Sequence, residues 1–109
     1  MSLRPESLPP PYQPIGWLQT RRVARVEGIV RSVRRRSAGA FVVIDVELED
    51  SSGRVTLEFL GRLALPELSS GASVVAQGVP LERDGELLIL NPWYACRAGQ
   101  DAGQDEGRA

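Results

Sequence analysis

Three consecutive arginines, Arg34-Arg35-Arg36, are the sharpest chemical feature of this 109-residue chain. Guanidinium groups at such density repel one another unless an anion lies among them, and their forked donors match phosphate oxygens. Arg62 follows a strand-like run, Arg83 stands in a turn-like Arg83-Asp84-Gly85, and Phe41 offers a flat apolar ring close after the cluster. Together Arg34, Arg35, Arg36, Arg62 and Arg83 could track a phosphate backbone while a base rests on Phe41. Residues 21–36 hold seven arginines against the single Glu27, and acidic residues prevail from Ser37 on. A formal net charge of −1 therefore conceals a local cationic field.

Other chemistries lack their residues. With no histidine there is no imidazole base, no imidazole metal ligand and no Ser-His-Asp triad within the chain. Cys96 stands alone, which excludes an internal disulfide and a cysteine-rich zinc site. Asp45, Glu47 and Glu49 alternate along one face, an arrangement too linear to surround a cation. The chain reads as a binding module without catalysis, metal or cofactor. No apolar run approaches the ~18 residues of a membrane span, and the N-terminus has no signal-like hydrophobic stretch, so a cytoplasmic protein is expected. Every basic residue is Arg and none is Lys, a bias of GC-rich genomes.

The elements that must position these groups lie between two unpromising ends. Five of the eight prolines (Pro5, Pro9, Pro10, Pro11 and Pro14) fall in residues 1–14, which excludes helix and central strand there. Residues 98–109 carry no large apolar side chain and cannot offset the entropy of ordering. A Pro-rich disordered leader (1–14), one folded domain (15–97) and a disordered acidic tail (98–109) are expected. Within the leader Pro9-Pro10-Pro11-Tyr12 fits a motif read by aromatic grooves, but as part of a disordered segment it reads as leader.

From Val23 the hydrophobic period is two. Ala24, Val26, Gly28 and Val30 alternate with polar neighbours. The phase then slips before Val33, so Gly28 or the Val30–Ser32 stretch is expected to host a bulge. Val42, Ile44, Val46 and Leu48 form the inner side of a second strand, and Val55, Leu57 and Phe59 that of a third. Asp50-Ser51-Ser52-Gly53 joins them, with Gly53 expected at positive φ. A turn of helix is expected within 63–71, a fourth strand through Val74, Ala76 and Gly78, and a fifth over 86–90. Val26, Val30, Val42, Ile44, Val46, Leu48, Val55, Leu57, Phe59, Val74 and Ile89 should share one interior. Five short strands with one helical interruption between the third and fourth is the order of an all-β, five-stranded Greek-key OB-fold barrel.

Val26-Glu27-Gly28-Ile29-Val30, the run from Leu48 to Leu57, Phe59-Leu60-Gly61-Arg62, Gly78 and Asn91-Pro92-Trp93-Tyr94 occur in an order that resembles small OB-fold nucleic-acid-binding-domain proteins of high-GC bacteria. The same order is similar to the wedge OB domain of RecG-type helicases. The resemblance spans roughly residues 15–95 and implies the OB fold and nucleic-acid binding.

Two functions remain open on the residues. One is a weak, sequence-tolerant nucleic-acid module, single-stranded by preference, that contacts phosphates through the Arg rim. The other is a protein-docking module, because Asp45, Glu47, Glu49 and Glu58 make the outward side of strands two and three acidic, which repels phosphate. Trp17, Trp93 and Tyr94 are expected to plug the open ends of the barrel, and Ile15, Trp17 and Leu18 to pack the N-terminal segment against it.

Overall fold

A computed structural model describes residues 10–62 and 64–97. Beyond a single 3-10 turn at Ile15–Trp17 the described chain is all β. Seven strands follow: β1 (Ala24–Ala38), β2 (Phe41–Asp50), β3 (Gly53–Leu60), β4 (Ser73–Gly78), β5 (Pro80–Arg83), β6 (Glu86–Leu90) and β7 (Trp93–Cys96). They form one sheet in the order β5-β6-β3-β2-β1-β4-β7, antiparallel except for the β3–β6 pair. Among the described residues no helix is long and apolar enough to cross a membrane.

Seven strands in an order with two ends replace the expected five-stranded ring, and prolines explain the number. Pro80 and Pro92 have no N–H to give to a ladder, and Asn91 is in the left-handed region at φ 47°. Each interrupts what would otherwise be one long strand. Val74–Gln77 pair with Cys96–Trp93, and Pro80–Arg83 pair with Ile89–Glu86, with a one-residue slip in register between the two blocks. The helical turn expected before β4 is absent among the described residues; Leu68 N instead closes a tight turn onto Leu65 O. Leu63 lies outside the described residues.

β1 is long because it serves two neighbours. Ala24–Ile29 pair with β4 and Ile29–Ala38 with β2, and the register shifts between Val30 and Ser32 as the broken periodicity predicts. The extra residue switches parity. Arg25, Glu27 and Ile29 before the bulge and Ser32, Arg34 and Arg36 after it therefore share the outward face. Gly28 sits where the strands crowd: a Cβ there would lie 2.6 Å from the Glu49 carbonyl oxygen.

One apolar cluster unites Val26, Val30, Ile44, Val46, Leu48, Val55, Leu57, Phe59, Val74 and Ile89. Val42 departs from the expected interior and is only half-buried, at the distal end of β2 where the β1–β2 hairpin extends past the core. Val43, on the opposite face, is buried instead. It stands directly across from Arg36, whose stem spans this part of the face.

The β5–β6 turn has Asp84 and Gly85 at φ 53° and 81°, the two left-handed residues of a tight hairpin of primed type. Gly53, by contrast, is not among the positive-φ glycines. Its small size serves a close approach, since a Cβ on it would stand 3.1 Å from Gly16 Cα. Asp50 organises the same corner. Its Oδ1 accepts from Ser52 N (2.7 Å), Ser52 Oγ (2.6 Å) and Gly53 N (3.1 Å), and its Oδ2 accepts from Ile15 N at 2.9 Å. Burial opposes the Asp50 charge, yet these donors from Ile15, Ser52 and Gly53 hold its pKa below the ordinary carboxylate value.

Ile15 and Leu18 are buried as expected, but Trp17 is 71% exposed and Trp93 52%, so neither plugs an end. Alternation along β7 sends Tyr94 and Cys96 toward the core and Trp93 away from it. Only Tyr94 of the three packs inward, edge-on to Phe59 at 5.4 Å between ring centres. Residues 1–9 and 98–109 lie outside the described residues, and with them most of the expected leader and all of the expected tail. Within the leader, Tyr12 bridges to Arg25 and Gln13 N donates to Arg25 O, so the chain already joins the sheet there.

Candidate nucleic-acid interface

Period-two alternation places Phe41, Val43, Asp45, Glu47 and Glu49 of β2 beside Arg54, Thr56, Glu58 and Leu60 of β3 on one outward face. The carboxylates on this face do not stand alone. Glu49 pairs with Arg31 (2.5 Å), Asp45 with Arg36 (2.6 Å) and Glu47 with Arg54 (3.0 Å). Glu58 takes two partners, Arg36 Nη2 at 2.7 Å and Arg83 Nη1 at 3.1 Å. Four carboxylates are thus matched by four guanidinium groups, and Arg34 is in surplus on this face. The face that reads as acidic along the sequence is not acidic in space.

Glu58 is the centre of this network. It is 5% exposed although it belongs to the outward side of β3. A carboxylate that dry needs partners, and it draws them from two separate hairpins, Arg36 from β1–β2 and Arg83 from β5–β6. Oε2 accepts from both, at 2.7 Å and 3.4 Å. Oε1 receives no well-directed hydrogen bond and has only the ion-pair approach of Arg83. Arg36 commits Nε and Nη2 to Asp45 and Glu58. Asp45 first, by hydrogen bond and charge, and then Glu58 raise its pKa above the ordinary guanidinium value. Among the described residues its Nη1 group bonds to none, and its side chain remains 41% exposed.

The sequence-derived site residues divide as follows. Arg34 faces outward opposite Asp45 and lines a shallow groove with Ser32, Arg36, Asp45, Glu47 and Thr56. Arg35 opposes Ile44 and is exposed on the projecting hairpin. Neither Arg34 nor Arg35 has an ion-pair partner among the described residues. Phe41 is 62% exposed at the same tip, opposite Ala38. Arg83 reaches this face through Glu58. Arg62 does not: its guanidinium lies 6.0 Å from the ring centre of core-facing Phe59, on the other side of β3. There its charge adds to the Tyr94 hydrogen bond, the main cause that lowers the Glu67 pKa.

Arg31 and Arg54 were missed as members of the site. Arg54 was legible as a directly opposed neighbour of Glu49, one diagonal step from Glu47. Arg31 was not, because its position follows from the bulge. A second outward group also escaped the sequence: Tyr12, Arg25, Gln77 and Trp93 fall in one row across the sheet. No protein-family model matches the chain, and no curated protein matches it.

Proposed function

We propose that the chain is an OB-type module that binds single-stranded nucleic acid weakly and with little sequence preference, through phosphate contacts on the β1–β2 hairpin. The observation that carries this reading is the charge balance of the β2–β3 face. Each outward carboxylate is matched by an arginine, while Arg34 on the same face as exposed Phe41, and Arg35 on the other side of the projecting hairpin, remain uncompensated among the described residues. Phosphates meet a surplus of donors there, and a base finds a ring to rest on. Arg36 and Arg83 keep outward donors and extend the rim; Arg62 belongs to the other side.

The connectivity supports the OB reading of the fold. β4 and β5 are separated by Val79 alone, and β6 and β7 by Asn91 and Pro92. Taken as two kinked strands they make five in all: the fourth meets the first through β4, and the fifth runs parallel to the third through β6. That circuit is the one an OB barrel uses, and it agrees with the resemblance to small OB-fold nucleic-acid-binding-domain proteins and to the RecG-type wedge. Function does not follow from the fold; it rests on the charge balance. The same balance weakens the protein-docking alternative, which relied on an acidic face.

The test is a salt-titrated binding assay of the full chain against a labelled single strand and a duplex of equal length. Binding at low salt that weakens steeply as salt rises supports the reading. A folded chain that binds neither at low salt overturns it.

A further inference from the structure

Farther along the outward side, the first half of β1 with β4 and β7 has its own chemistry. Arg25 stands between two aromatic rings, 5.3 Å from the centre of Tyr12 and 5.4 Å from that of Trp93. The stack is fixed from beneath. Tyr12 bridges to Arg25, Arg25 opposes Gln77, and Gln77 opposes Trp93. Arg25 Nε also donates to Gln77 Oε1 at 3.2 Å, which sets the plane of the guanidinium. Both rings remain about half exposed, Tyr12 49% and Trp93 52%. The arrangement is therefore a held, open π-surface and not part of the core.

Charge decides what such a surface would take. Arg97 is matched by Glu27 at 2.9 Å. The Arg25 side chain hydrogen-bonds to the neutral Gln77 and the Arg22 side chain to the neutral Gln19. Among the described residues no carboxylate pairs with either. An exposed indole beside an uncompensated guanidinium, that of Arg25, suits a flat ring carried on a polyanion. The bulge in β1 supplies continuity, since it puts Arg25 and Arg34 on the same outward side. Arg34 lies nine steps along the strand from Arg25, about 30 Å of chain at ~3.3 Å per residue.

We propose that Trp93, seated on the Tyr12–Arg25 stack, is a base-stacking site for single-stranded nucleic acid and a second contact surface distinct from the Arg34–Arg35 rim. This inference rests on the nucleic-acid reading above, but it assigns a different stretch of the outward side and a different interaction. A base stacks on the free side of the indole while Arg25 holds the other. Stacking uses the π-face that every base has, so the site does not select sequence. A duplex, whose bases are already stacked on one another, has none to offer.

The experiment uses the full chain carrying Trp17→Phe, so that Trp93 is the sole indole, and a homothymidine strand of about 12 nucleotides. Addition of the strand should quench and shift the Trp93 emission, whereas a duplex of equal length should not. Trp93→Ala should weaken binding about fivefold to a hundredfold without changing the salt slope, because no phosphate contact is lost. Trp93→Phe should retain most of the affinity. If the strand binds with dependence on Arg34 and Arg35 but leaves Trp93 emission and the Trp93→Ala affinity unchanged, the stacking site is overturned and the rim survives. If the folded chain binds no strand at low salt, both readings fall.

Discussion

Glu58 on β3 accepts a 2.7 Å hydrogen bond from Arg36 on β1 across the whole width of β2. The two partners differ in solvation, the carboxylate being 6% and the guanidinium 41% exposed. That inequality predicts an asymmetry in mutation. Arg36→Ala leaves a dry charge with Arg83 as its remaining partner and should destabilise the fold more than neutralising that charge does. Glu58→Gln releases Arg83 and leaves Arg36 on Asp45, with no dry charge left behind, and should cost ~1 kcal/mol. Urea unfolding of both variants checks the order. Equal losses would mean that Glu58 is better hydrated than its burial implies.

Removing that charge has a second consequence. Glu58→Gln frees the Arg36 and Arg83 donors and removes one negative charge from the rim, so single-strand affinity should rise while stability falls. Binding measured at one low salt concentration on the wild type and this variant tests it. A variant that loses affinity would mean that Glu58 positions the two hairpins for binding.

The corner at Asp50 sets the acid sensitivity of the fold. Its native pKa is depressed, so the folded state binds its proton less readily than the unfolded chain does. The stabilisation is complete above the unfolded value, about 3.9, and is lost as pH falls through the lower native value. Asp50→Asn should therefore be destabilised relative to wild type at neutral pH, by about 1 kcal/mol as for a lost helix cap. The gap should start to narrow below about pH 4, where the unfolded carboxylate takes its proton, and close only as pH falls through the lower native value. Thermal melts of both proteins over that range read it out, and a constant gap would remove Asp50 from the account.

Strand crossing makes glycine positions unequal. At Gly28 a Cβ meets the Glu49 carbonyl oxygen at 2.6 Å, backbone that cannot swing aside. At Gly39, with φ 64°, a Cβ meets nothing within 4 Å and suffers only the left-handed penalty. Gly28→Ala should cost about 2–3 kcal/mol and Gly39→Ala about 1 kcal/mol. Denaturant midpoints decide it. Similar losses would argue that β1 and β2 are not pressed together at Gly28.

These contrasts mark what the sequence could and could not convey. The inner parity of Ile44, Val46, Leu48, Val55, Leu57 and Phe59 was legible because alternation is a local property with a period of two. So was the slip between Val30 and Ser32, and so was the Arg83-Asp84-Gly85 turn. The number of strands was less so, since Pro80 and Pro92 break ladders without breaking the path of the chain. Size argues for burial of Trp17 and Trp93, but the parity of β7 turns Trp93 outward and Trp17, at the end of the 3-10 turn, stays exposed. The site depended most on long-range pairing. Arg36 reaches Glu58 over 22 residues of sequence and Arg83 reaches it over 25, and neither separation has a local signature. A face counted as acidic residue by residue therefore became balanced only once its neighbours were known.

The rim itself is tested through salt. If three to five phosphates of a single strand are neutralised, log K should fall with log salt at a slope of about −2 to −3.5, at ~0.7 per phosphate. Arg34 and Arg35 have no carboxylate partner among the described residues, so removing them takes nothing from the internal network. The Arg34→Ala/Arg35→Ala double variant should keep wild-type stability within about 0.5 kcal/mol. Its slope should flatten by about 1.4 and its affinity should drop alike for all sequences, because phosphate contacts position a strand without reading it. Arg54→Ala should act at a distance. It exposes the Glu47 charge, 3.0 Å away in the native pair, and should weaken binding at low salt with little effect at high salt, as screened repulsion requires. A double variant that binds with an unchanged slope would remove the hairpin from the interface, and a slope that flattens only with Arg62→Ala would move the contact to the other side of β3.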